Sequence, residues 1–79
     1  MARILVVEDE AHLADGLRFN LEAEGYDVEC VESGEDALAR VDKTPFSLAI
    51  LDIMLPGIDG FDVARTLRAK GKRLPILML

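Results

Sequence analysis

Three short apolar runs and one alternating segment punctuate the chain, and three segments of helical periodicity lie between them. Arg3 to Val7 is an aliphatic run that stops abruptly at Glu8, Asp9 and Glu10, as a strand buried on both faces does. From Glu10 to Glu24, Leu13, Leu17 and Leu21 recur at every fourth position with Ala14 beside them. This spacing predicts an amphipathic helix with those leucines on its core face, closed by Gly25 as a C-terminal cap. Tyr26 to Val31 alternates apolar and polar residues, the pattern of a half-buried strand at a sheet edge.

Ser33 is placed to open the next helix by accepting a backbone N–H bond, with Asp36 positioned to complete a capping box and Ala37, Leu38 and Val41 forming the buried stripe. Pro45 ends that helix, and Phe46 to Leu51 is a second apolar strand that also stops at an acid, Asp52. Pro56 and Gly57 mark a loop over residues 53–58, after which Asp59 caps a third helix whose apolar face uses Phe61, Ala64 and Leu67. Arg68 and Lys70 suit the dipole at its C-terminus, Gly71 ends it, and Leu74 to Leu79 forms the last strand. The order βαβαβαβ, with a helix in every crossover, predicts an α/β fold with a parallel sheet and right-handed connections. In a doubly wound sheet, ligands gather at the carboxyl ends of the strands, where Glu8, Asp9 and Asp52 fall.

Composition narrows the function classes. Hydrophobic residues make up 51% and charged residues 30% of the 79 residues, which fits a folded domain and excludes a disordered tail or a low-complexity linker. A formal charge of -6 repels nucleic-acid phosphates and anionic membrane surfaces, so direct nucleic-acid contact by this segment is not expected. The lone Cys30 has no intramolecular disulfide partner and no neighbours at metal-ligand spacing, as suits a reducing compartment. No apolar run approaches the roughly 18 residues of a membrane span, and Met1 to Arg3 leads straight into a strand, so a cytoplasmic location without membrane contact is expected.

If strands one and three are neighbours, their terminal acids come side by side, and three carboxylates there repel unless a cation joins them. Magnesium takes oxygen ligands and keeps several waters, so Asp9 and Asp52 with a backbone carbonyl would suffice. One of the carboxylates can also serve as nucleophile toward a phosphoryl group. Taken alone, Asp9 has a plainer reading as the cap of the following helix. Asp52 is harder to dismiss in that way, because no helix begins directly after it and it ends a strongly apolar strand, and the two acids with Pro56 and Gly57 favour a site.

The stretch VVEDE from Val6 to Glu10, followed by LAILDIMLPGIDG from Leu48 to Gly60, closely resembles the receiver domain of bacterial two-component response regulators. The resemblance is strongest to the branch that carries a winged-helix DNA-binding output domain, and it runs from Arg3 to Leu79. It implies a flavodoxin-like (CheY-like) doubly wound sheet of strand order 2-1-3-4-5, of which this chain holds 2-1-3-4. It implies that Asp52 accepts a phosphoryl group from a sensor histidine kinase, with Mg2+ or Mn2+ as cofactor. Asp9 and Asp52 are then direct metal ligands, Glu8 acts through water, and Met54 lends its backbone carbonyl. The implied role is a relay and switch in a transcriptional regulator, not a metabolic enzyme.

The family pattern also calls for a threonine or serine just after strand four, a lysine after strand five and an aromatic residue on strand five, positions that lie beyond Leu79. Residues 1–79 are therefore expected to be the N-terminal two-thirds of a receiver domain without its output domain, able to bind metal but not to signal. Strand four is then an apolar edge, and a homodimer paired through Leu74 to Leu79 is expected. The competing reading is a self-associating interaction module with inert acids. An aspartate-dependent phosphohydrolase is disfavoured, because Met54 stands where that chemistry needs a second acid. His12, Phe19 and the basic residues Arg65, Arg68, Lys70, Lys72 and Arg73 read as solvated surface, and neither a G-x-G-x-x-G nor a Walker-type run follows strand one.

Overall fold

The computed structural model describes residues 2–79; Met1, the first residue of the expected 1–79 segment, lies outside them. Seven elements follow in order: β1 (Arg3–Val7), α1 (Ala11–Ala23), β2 (Asp27–Val31), α2 (Gly34–Lys43), β3 (Leu48–Leu51), α3 (Gly60–Ala69) and β4 (Ile76–Met78). The strands form one parallel sheet in the order β2-β1-β3-β4, the flavodoxin-like arrangement expected. β2 is an edge strand, as its alternation predicted, and β1 and β3 are neighbours with Val7 opposite Leu51.

Because side chains alternate along each strand, the sheet has two apolar faces. Leu5 and Val7 of β1 and Ala49 and Leu51 of β3 pack with Ala37 and Val41 of α2 and Val63 and Leu67 of α3. On the other face, Ile4, Val6, Val28 and Ile50 meet Leu17 and Leu21 of α1. Each large aliphatic side chain buried in this way stabilises the fold by about 1.5–3 kcal/mol.

The helix ends follow from local chemistry. Ser33 accepts from the Asp36 N–H at 3.1 Å to start α2, while the reciprocal Asp36 bond is not among those formed by the described residues. Asp59 and Asp62 form a complete capping box at the start of α3. Gly25 and Gly71 take left-handed backbone conformations, φ 92° and 79°, immediately after α1 and α3, where a side chain would be strained.

Two core assignments are corrected. Leu13 is 59% exposed, because it lies in the first turn of α1, where Ala14 makes the inward contact instead. Phe61 is 51% exposed, and the inward face of α3 is Gly60, Val63 and Leu67, one helical step of about 100° away. β3 begins at Leu48, not Phe46, and β4 at Ile76, not Leu74; Pro75 has no N–H to contribute to a ladder, though its carbonyl accepts from Ala49 at 3.0 Å.

Candidate metal centre

The parallel register brings the acids together. The Glu8 N–H donates to the Val31 carbonyl at 3.1 Å, and the Asp52 N–H donates to the Val7 carbonyl at 3.0 Å, so the sheet ladder runs right up to both acidic positions. One carboxylate oxygen from each of Glu8, Asp9 and Asp52 lies within 4.8 Å of the other two. Glu8 is buried, Asp52 half-buried and Asp9 exposed, so the cluster opens to solvent on the Asp9 side.

Asp9 is not a helix cap. Glu10 takes that role, its side chain accepting from the His12 and Leu13 N–H groups at 3.2 and 3.3 Å, which leaves the Asp9 carboxylate to the cluster. The sequence hid this because glutamate is not among the preferred capping residues, whereas aspartate is. The Glu10 N–H also donates to Glu8 Oε2 at 3.0 Å and so fixes the Glu8 side chain. Burial pushes the Glu8 carboxyl above its ordinary range; the Glu10 N–H bond opposes that, and the charge of Asp52 adds to it.

Asp52 is oriented by the residue expected to supply a carbonyl. The Met54 N–H donates to Asp52 Oδ1 at 3.0 Å, while the Met54 side chain is 83% exposed and takes no part. The loop after β3 is anchored by Leu55, which is buried in the core cluster under α2 and α3. An open depression bounded by Asp9, Met54, Pro56, Asp59 and Phe61 reaches the cluster at Asp9. His12 is exposed and outside the cluster.

The donor set fits a hard divalent cation. Mg2+ holds oxygen ligands at about 2.1 Å, so two ligands of one ion are about 4.2 Å apart at most. The 4.8 Å spread of the three carboxylate oxygens is close to that span, with one of the acids placed to act through water. Without a cation, like charges this close oppose one another, and the charge of Asp52 adds to the rise that burial gives the Glu8 carboxyl.

Comparison with known proteins agrees with this geometry. The family model described as the response regulator receiver domain matches residues 4–79. The receiver domain of a Francisella response regulator superposes with a TM-score of 0.95 at 23% identity, covering 99% of this chain and 64% of that one, a likeness of fold. The response regulator TrrA from Thermotoga maritima, solved in complex with Mg2+-BeF, is 42% identical, with a TM-score of 0.94 over 99% of this chain and 68% of that one. A solved complex of the histidine kinase ThkA with TrrA matches at 42% identity and a TM-score of 0.92, over 99% of this chain and 67% of that one. The chain thus spans about two-thirds of the length of these solved chains. With its sheet order, its acids at the ends of β1 and β3 and a family match over nearly its whole length, the chain belongs to the response regulator receiver domains.

Proposed function

We propose that this chain carries the phosphoacceptor site of a two-component signalling protein, with Asp52 as the residue phosphorylated by a sensor histidine kinase. The observation that carries this reading is the meeting of Glu8, Asp9 and Asp52 at the ends of two adjacent strands. The kinase partner is supported by the solved ThkA–TrrA complex of a similar regulator, and the metal by the Mg2+-BeF complex of TrrA. Asp9 and Asp52 would hold Mg2+ or Mn2+ through their carboxylates and Met54 through its backbone carbonyl, with Glu8 contributing through water. When bound, the cation offsets the negative charge of the incoming phosphoryl oxygens.

An Asp52 carboxylate oxygen attacks phosphorus; the P–N bond to the kinase histidine breaks as the P–O bond forms, and the released imidazole nitrogen takes up a proton. The Met54 N–H holds the Asp52 carboxylate in direction during the attack. The domain acts as a relay and not as a metabolic enzyme, in a cytoplasmic regulator of transcription with a winged-helix output domain, a reading supported by the motif from Leu48 to Gly60.

The test is labelling with acetyl phosphate and Mg2+, followed by intact mass. One added phosphoryl group, lost on hydroxylamine treatment and absent in Asp52→Asn, is the expected result. Full labelling of Asp52→Asn would overturn the assignment. Asp9→Asn is expected to move the Mg2+ dependence to higher concentration.

A second reading rests on β4, an edge strand among the described residues, where Leu77 and Leu79 are exposed. Two copies pairing there would form a homodimer, and light scattering that finds a monomer at high concentration would exclude it.

A further inference from the structure

We infer that Gly60 and Gly34 are positioning residues for the metal centre, two points of a backbone clamp that sets the direction of the Asp52–Met54 segment. This rests on the reading of that centre given above.

The clamp is a close approach of backbone to backbone. A Cβ placed on Gly60 would overlap the Asp52 carbonyl oxygen and sit 3.0 Å from the Ile53 Cα and 3.1 Å from the Asp52 carbonyl carbon. The first turn of α3 therefore lies directly on the peptide that follows the phosphoacceptor. The Gly60 N–H donates to the Ile53 carbonyl at 3.1 Å, which locks the two segments together. On its other side, the Asp52 N–H is held by Val7 and its Oδ1 by Met54. The Asp52–Ile53 unit has little freedom left, and the Met54 carbonyl takes its direction from it.

Gly34 closes the clamp from behind. It is buried at the start of α2, and a Cβ there would lie 2.6 Å from both Ile58 Cγ1 and Val63 Cγ2. Ile58 ends the loop that starts at Asp52, and Val63 is the buried centre of α3. A side chain at position 34 crowds Ile58 and Val63 and so bears on α3, the loop and the seat of Gly60 on Asp52. The two obstacles differ in kind. At Gly60 the clash is with backbone, which cannot give, whereas at Gly34 it is with side-chain ends, which can give in part.

The two clashes predict graded effects on the metal and not on the fold alone. Removing an interaction that orients a metal ligand lowers metal affinity by about 10- to 100-fold. Gly60→Ala is expected to weaken Mn2+ binding, read by electron paramagnetic resonance of the free ion, by about that range. Gly34→Ala is expected to weaken it by a smaller factor. The control is Gly71→Ala, which strains the left-handed turn after α3 yet has nothing within 4 Å of the added Cβ. It should lower the thermal midpoint and leave Mn2+ affinity unchanged.

Should Gly60→Ala fail to fold, Gly34→Ala carries the comparison against Gly71→Ala. Folded clamp variants that keep wild-type affinity, or that lose no more than Gly71→Ala does, overturn the inference. A wild-type chain whose Mn2+ binding is weakened by Asp9→Asn, alongside clamp variants without effect, defeats the clamp and leaves the metal centre standing. A wild-type chain that binds no Mn2+ defeats both.

Discussion

Among the described residues, the sheet face under α2 and α3 buries nine side chains in one continuous cluster, whereas the face under α1 buries four in its own. The first cluster extends past the strands into Leu55 of the loop after Asp52 and into Val63 of α3, so it supports the site from below. The second lies beneath a single helix seated on β1 and β2, and Leu77 of β4, on the same side of the sheet as Ile50, is exposed. One face works as a foundation that holds the loop after Asp52, and the other, among the described residues, carries the smaller cluster.

Substitutions on the two faces test that contrast. Leu67→Ala, at a fully buried position of α3, should cost about 2–5 kcal/mol in urea unfolding, because it removes transfer free energy and leaves a cavity in the larger cluster. Leu17→Ala in α1, where the side chain is half-buried, should cost about 1 kcal/mol. Equal costs would break the comparison.

The smallest effect concerns the Arg40–Glu29 pair, which joins α2 to the edge strand β2 on the foundation face. The Arg40 hydrogen bond holds the Glu29 carboxyl below its ordinary value of 4.5, so folding favours the ionised form. The stabilisation is present above 4.5 and is lost as pH falls through the lowered value of the folded state. Both side chains are partly solvated, which screens the pair and keeps its contribution small. The thermal midpoints of wild type and Arg40→Gln should differ slightly at neutral pH and converge in acid; a gap that widens in acid would contradict the pairing.

Much of this was written in the sequence, and the exceptions share a cause. β1 and β3 and the acids at their ends follow from apolar runs that stop at charges, since a strand buried on both faces tolerates no polar position along its length, whereas the strand order came with the family resemblance. Leu13 and Phe61 misled because hydrophobicity ranks residues without saying where a helix first meets the sheet. At α3 the inward positions include Gly60, which carries no apolar signal at all; what matters there is the absence of a side chain, and periodicity cannot read an absence. The capping role of Glu10 was likewise hidden, being decided by where the helix starts relative to β1 and not by capping preference. Asp9 and Asp52 were legible as a pair because only parallel neighbours with matched ends bring them together.

The pairing of Val7 with Leu51 also makes the acid cluster a gauge of strand alignment. A slip of one residue between β1 and β3 would carry Asp52 about 3.3 Å along the strand and turn its side chain to the opposite side of the sheet. The cluster exists only in the correct zipper setting. A divalent cation held there, as proposed, would stabilise that setting over slipped ones, and cation titration during refolding would then count the correctly zipped molecules.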